Sequence, residues 1–532
     1  GISGMEEESH PHVRGGVAPH RGGLRIASAG FRFDPPSNHS DATPPSYGGL
    51  DYRVPGTPMR AVSGMRLPVA DTERTRNHLL RRAGLGVGAA QQAAIAAQGL
   101  ETWLADQLDP GLYDPSAVVI NRWFPLAVAD IDQTRRSVEK YAWDAQTEYA
   151  QATLARQLFS VRQVYEVVVD VFSNLLHVPT PSERAWDVGA DYGNQVIRAH
   201  ALGRYADMLH ASARHPAMLR SLHNDESRGG VVNVDYARAL LDLHTVRSCT
   251  EGDVRAAAMI LSGRGYDQST GRFSYGATNH AVGRVMVLGF ESLNSSYIDG
   301  LEMGDDFIAH LARLPETARN VATRLAVRFI ADSPSDAIID HLARVYLARD
   351  TDIREVLLEL FRSDEFWRAT ASKVRRPLED IVGTVRASCV TTATATREGV
   401  ADLYWTLRKM GHAPLGWDQP DGYPDVASAW RSTGHLGARW NLHRAIVSGW
   451  RKGLTPSAEF SRAVVPVEGT TVDAWVTELA WLTLGQEPTD QIRQAAYAFL
   501  GLAGYDLVPP ALAPLAARMA AMMFNSHAYV VR

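Results

Sequence analysis

From Thr72 onward the apolar residues recur at the spacing of a helix and almost nowhere at the spacing of a strand, which decides the fold class. The cleanest stretch is 316–331, where Val321, Leu325 and Phe329 stand four apart with Ala318, Ala322 and Ala326 beside them. The same reading predicts helices over 72–83, 89–107, 130–160 (with a break near Trp143), 336–348, 352–361 and 376–388. Asp71 or Thr72 is placed to cap the first helix and Gly84 to stop it. The valine-rich 161–178 segment has the composition of a strand, but its length and its Leu175-Leu176 ending favour a buried helix. Residues 263–299, rich in Gly, Ser and Tyr, read as an ordered loop or a short hairpin. No train of alternating strands and helices appears, which argues against Rossmann and TIM-barrel architectures. The expectation is an all-α protein: a large multi-helix orthogonal bundle with long ordered loops, room for one short hairpin, and an irregular N-terminal arm.

The 532 residues suffice for a large core. We divide them into an N-terminal extension (1–70), a main helical domain (71–390) and a C-terminal helical subdomain (391–532) packed on it. Gly1-Ile2-Ser3-Gly4 reads as an expression scar before Met5. Glu6-Glu7-Glu8-Ser9-His10 has neither the basic start nor the apolar run of a secretory signal, so the expected location is the cytoplasm. His10, His12 and His20 read as solvated residues of the arm. A net charge of −5 argues against a dedicated nucleic-acid binder, and no apolar run is long enough to span a membrane. Two cysteines, Cys249 and Cys389, rule out a disulfide scaffold and a Cys-rich metal site, leaving a single bridge open. Four of the 54 basic residues are lysine, as a GC-rich coding sequence would give. The arginine excess predicts internal ion pairs. There is no His-Glu-x-x-His, no P-loop and no Gly-x-Ser-x-Gly. The Gly84-Leu85-Gly86-Val87-Gly88-Ala89 run follows a helix rather than a strand, so it reads as a junction between helices and not as a phosphate loop.

A run of segments carries a family resemblance: HLLRRAGLGVG at 78–88, RHPAMLRSLH at 214–223, NVDYARALLDLHTV at 233–246, EGDVRAAAMIL at 251–261, VMVLGF at 285–290, TARNVATRLAVRFIAD at 317–332, KVRRPLE at 373–379 and PDGYPD at 420–425. Together they resemble the bacterial family catalogued as domain of unknown function 1800, in its actinobacterial form, over roughly 75–528. The resemblance implies a mostly helical fold and no agreed reaction. Many members are exported and encoded beside a sulfatase-like partner family, and the acidic N-terminus here argues against that association.

Members typically read Asn-Glu-Asn-Tyr-(Ala/Gly)-Arg-Glu-Leu-x-Glu-Leu-His-Thr where this chain has Asn233-Val234-Asp235-Tyr236-Ala237-Arg238-Ala239-Leu240-Leu241-Asp242-Leu243-His244-Thr245. At about 100° per residue, positions 235, 239 and 242 share a face, and His244 falls about 180° from Asp235. Asp235 and Asp242 could hold a cation or move protons. They could equally form an ion-pair ladder with Arg238 and neighbouring arginines, Ala239 and Val234 having removed two carboxylates. His244 is a general base or a residue packed near Thr250. A family histidine in Phe-Trp-x-Asn-His falls on Leu175, leaving Asn174 as a polar contact and His177 two residues on. His280, before Gly283, reads as a functional loop histidine or a surface one. Arg324, Arg328, Lys373, Arg375 and Arg376 could recognise an anion or pair with Asp332, Glu379 and Asp380. Gly416-Trp417 and Pro420-Asp421-Gly422-Tyr423 form an aromatic loop that could wall a pocket or pin itself to the body.

The sequence thus supports an enzyme acting on a small organic metabolite, a biosynthetic tailoring step. Asp235, Asp242, His244 and His280 would do acid/base work, and Asn174, Asn233, Tyr236, Arg238, Trp417 and Tyr423 would bind. The alternatives are a non-catalytic binding or scaffold protein, and a metal-dependent hydrolase or oxidase. The expected partner is a small-molecule ligand, with neither nucleic acid nor membrane. No cofactor and no metal ligand set can be named.

Overall fold

The computed structural model describes residues 65–430 and 433–532. The residues read as a scar and a start, 1–5, and His10, His12 and His20 lie outside the described residues. Among those described are 25 α-helical segments and two small antiparallel sheets, so the chain is mostly helical.

The first helices follow the sequence closely. α1 (Glu73–Arg82) opens on Thr72, whose hydroxyl accepts from Thr75 N in a reciprocal capping box. Gly86, at φ 148°, packs on Gly383, where a Cβ would come within 2.9 Å of the Gly383 Cα, so the glycine run is a close helix junction. The expected 89–107 helix is two, α2 (Ala89–Gln98) and α3 (Leu100–Gln107), divided at Gly99 with φ 85°. After α4 (Ser116–Trp123), the expected 130–160 helix also divides, into α5 (Ile131–Ser137) and α6 (Asp144–Phe159). The valine-rich segment forms α7 (Gln163–Leu175). Further on, the clean apolar stripe becomes the helix Pro315–Phe329, followed by Asp336–Ala348, Ile353–Arg362 and Pro377–Ala387.

The 263–299 segment holds two hairpins rather than one. β1 (Arg264–Tyr266) pairs with β2 (Phe273–Tyr275), Gly265 opposite Ser274, and β3 (Val285–Val287) pairs with β4 (Phe290–Ser292), Met286 opposite Glu291. Cys249 and Cys389 are both free thiols.

Apolar packing gathers into three clusters. The first runs from Met65 to Phe366 and takes Val164, Val168 and Phe172 from α7. The second takes Ala150, Leu154 and Leu158 from α6 and joins them to the helices Pro377–Ala387 and Arg397–Lys409. The third is built from the last part of the chain, around Trp475, Leu479 and Met519. The α6–α7 elbow therefore stands between two cores, which leaves the polar residues of these helices to face one another. Among the described residues no helix is long and apolar enough to cross a membrane.

Candidate functional site

The 233–246 motif begins as the short helix Asp235–Ala239 and continues as a π-helical stretch, Leu240–His244. Asp235 is exposed and lies 3.3 Å from His223 Nδ1. Arg238 does not bridge the two aspartates. It makes a bidentate pair with Glu251 at 2.8 and 2.9 Å. Asp242 is half-buried and accepts from the Cys249 thiol at 3.1 Å; burial and that carboxylate push the thiol up to about 12. Asn233 accepts from Asp235 N at 2.8 Å, an intrahelical starter contact, and Tyr236 is wholly buried in the first core. His244 is buried with neither ring nitrogen partnered, and burial pushes it down to about 3. Thr250 does not meet it but caps the next helix, Glu251–Leu261, through Asp253. His280 is buried rather than on the surface. Its Nε2 meets Asn294 Oδ1 at 2.7 Å and its Nδ1 meets Ser262 O at 3.0 Å, so it braces the base of the hairpins. The four candidate acid/base residues thus have separate surroundings. Five clefts of the described surface take no wall from any of them, and among the described residues no group of three or more His, Cys, Asp or Glu is placed to hold a metal.

The structure does gather Asn174, Trp417 and Tyr423, at the C-terminal end of α7. Asn174 Oδ1 accepts from Tyr423 N at 2.8 Å, and His177 Nε2 meets Trp417 O at 2.7 Å. Trp417 donates to Asp421 at 2.8 Å, and Tyr423 packs against His412 with ring centroids 4.5 Å apart. Gly422, at φ 71°, lies so close to Asn174 O that a Cβ would overlap it. The aromatic loop is therefore packed on the body rather than open as a wall.

Beneath this loop lies a buried ionic network. Arg328 pairs with Asp170, Glu379 and Asp425; Arg376 pairs with Asp170 and Glu379; Lys373 pairs with Asp332 and Asp425. Burial alone would raise the Glu379 and Asp425 carboxyls, but the surrounding cations outweigh it and hold both well below their ordinary range. Each charge has partners and the cavity at its centre is about 20 Å³, room for one water. This network is a clamp on the 416–430 loop. Arg375 and Asp380 serve elsewhere: Arg375 donates to Tyr529 O at 2.8 Å, and Asp380 meets Arg439 at 3.2 Å and His443 at 2.6 Å. Arg324 makes no ion pair among the described residues.

A different place has the properties of a binding site. A cleft of about 320 Å³ opens between the 110–114 loop, α4, the α6–α7 elbow and the 193–203 segment. Its far wall is a second π-helical stretch, Gly193–Arg198, which brings Asn194 and Arg198 to the cleft. π-turns recur at functional positions. Its inner wall is α7, where Glu166 is one of two carboxylates among valines, the other being Asp170, and makes a bidentate pair with Arg198 at 2.9 and 2.7 Å. Burial would raise the Glu166 carboxyl, but Arg198 holds it below the ordinary range. Tyr165 donates to Arg198 O at 2.6 Å, and Arg162 lies 3.8 Å over the Tyr165 ring at the rim. Arg156, on α6, completes the wall; it is 7% exposed and makes no ion pair or side-chain hydrogen bond among the described residues. The sequence reading singled out none of these residues. The signal available was Glu166, a charge inside an apolar helix, which requires a buried partner.

A larger depression of about 610 Å³ adjoins α1 and the last residues. Its buried guanidinium groups are occupied: Arg82 donates to Phe329 O, Arg532 O and Ser372, and Arg532 to Arg81 O and Glu379.

A mostly helical body with two small hairpins is the class this fold defines. Residues 78–531 match the family model described as "Protein of unknown function (DUF1800)", and the chain belongs to that family. No curated protein and no solved structure matches it significantly.

Proposed function

We propose that this family member binds a small organic molecule in the cleft between α4, α6, α7 and the Gly193–Arg198 stretch, and that it binds without acid/base chemistry at the 233–246 motif. The observation that carries this reading is the cleft itself. About 320 Å³ falls within the range of small-molecule sites, and buried polar side chains from three separate elements converge on it. Of the two carboxylates in its wall, Glu166 is committed to Arg198 on both oxygens and Asp114 accepts from Ser116 N and Oγ at the start of α4. None of the five clefts described above takes a wall from Asp235, Asp242, His244 or His280.

Filling the cleft tests this. Ala117 lies in its wall and is not fully buried, so Ala117→Trp occupies the space with little disturbance to the cores. Saturation-transfer NMR with a mixture of small neutral and charged organic compounds should give binders for the natural protein and for Asp242→Asn. The same binders should be lost with Ala117→Trp. Binders that persist with Ala117→Trp, or vanish with Asp242→Asn, would move the function elsewhere.

A further inference from the structure

We infer that the ligand of this cleft is a small anion, a carboxylate or phosphate, held by Arg156 and carrying next to its charge an O–H or N–H that donates to Asn194. The inference rests on the cleft reading above and names the chemistry of its occupant.

Arg156 is the first support. A buried guanidinium is ordinarily matched by a carboxylate, because an unpaired buried charge is expensive. Elsewhere in this molecule buried guanidinium groups are satisfied in one of two ways: Arg328, Arg376 and Arg198 meet carboxylates, and Arg82, Arg375 and Arg386 donate to backbone carbonyls. Arg156 has neither: its Nη1 is sealed from solvent and has no acceptor. The nearest carboxylate, Glu166, is already taken on both oxygens by Arg198. Burial and Arg198 both disfavour the charge on Arg156, and Glu166 only partly offsets them. The walls carry three guanidinium groups, Arg156, Arg162 and Arg198, against two carboxylates, Asp114 and Glu166. One negative charge is missing, and the cleft is where it would sit.

Asn194 is the second support. Its Nδ2 donates to Ala127 O at 2.8 Å, which fixes the orientation of the amide. Its Oδ1 is then buried in the same wall with no donor. A lone acceptor in the lining of the same cleft as a lone guanidinium fits a ligand that offers both an anion and a donor, as hydroxy acids, amino acids and protonated phosphate do. Plain acetate offers only the first.

The test uses sodium glycolate, sodium phosphate, sodium acetate and the neutral amide glycolamide, added to the full chain at constant ionic strength and followed by thermal shift and titration calorimetry. Glycolate or phosphate should bind more tightly than glycolamide, by roughly ten- to a hundredfold, the usual effect of one charge-assisted contact. Which of the two binds better separates a carboxylate ligand from a phosphate one. Arg156→Met should abolish the anion response and leave the ligand-free melting temperature equal to or above that of the natural protein, because it removes an unpaired buried charge. Asn194→Leu should weaken glycolate but not acetate. An Arg156→Met variant that melts well below the natural protein and still responds to anions would overturn the assignment. So would binding of glycolamide as strong as that of glycolate. If neutral compounds bind and Ala117→Trp displaces them while anions gain nothing, the anion assignment fails and the cleft reading stands. If nothing that binds is sensitive to Ala117→Trp, the cleft reading itself fails.

Discussion

His244 and His78 are both buried, yet only His78 has a partner, Phe366 O at 2.9 Å. Burial pushes His78 down to about 4 and His244 to about 3. In the unfolded chain each takes up a proton near pH 6.5, whereas the folded chain refuses it until the pH is far lower. The unfolded state therefore binds more protons across this window, and stability falls as the pH drops from 7 towards 4. Each histidine contributes about 2 kcal/mol of that loss between pH 7 and 5. We expect His244→Leu to flatten the slope by this amount while leaving stability at pH 7 unchanged or slightly higher, since two unsatisfied nitrogens disappear. Urea denaturation at pH 7 and pH 5 measures it; a variant as acid-sensitive as the natural protein would refute the assignment. At this scale the sequence is readable for residue type and silent about partners. It marks Asp235, Arg238 and Asp242 as polar neighbours, but Arg238 reaches Glu251, at the start of the next helix, and Asp242, within the π-helical stretch Leu240–His244 where the regular spacing of a wheel no longer holds, reaches Cys249.

Helices with a clean stripe are legible as elements, and their interruptions are not. Pro315–Phe329 follows directly from Val321, Leu325 and Phe329. The division at Gly99 depends on a distant residue: Asp71 Oδ2 accepts from Leu100 N at 3.1 Å and starts α3 afresh. The break between α5 and α6 contains Tyr141 at φ 70°, a conformation that local propensity does not foresee. The Gly193–Arg198 stretch is set by packing, for the Tyr149 ring lies where a Cβ on Gly193 would be. Gly193→Ala should thus lower stability by about 1–3 kcal/mol through overpacking. Pairing it with Tyr149→Leu should recover part of that loss, and a double-mutant cycle on urea midpoints measures the coupling. Strict additivity of the two changes would show that the ring does not hold the stretch in place.

Over the whole molecule, the fold class was legible because apolar periodicity is local, and the pairing of charges was not: even in the cleft Glu166 meets Arg198 across 32 positions, and elsewhere the reach is far longer. Arg376 reaches Asp170 across 206 positions, and Arg82 reaches the Arg532 carbonyl across 450. The last residues are correspondingly tied in. Arg375 N donates to Val530 O at 2.8 Å, Lys373 N to Arg532 O at 3.0 Å, and the Tyr529 hydroxyl to Asp380 O at 2.7 Å. Deleting residues 526–532 leaves Arg82 and the ionic network without these contacts. We expect a marked fall in melting temperature and increased binding of an apolar-surface dye, read on the purified truncated chain; a truncation that melts like the natural protein would contradict the interlock. The Arg82–Arg532 contact also has a consequence in time. Synthesis is vectorial, so α1 leaves the ribosome with Arg82 unmatched; its acceptors Phe329 O and Arg532 O follow 247 and 450 positions later. The nascent chain therefore carries this guanidinium without its folded-state acceptors while several hundred residues are made.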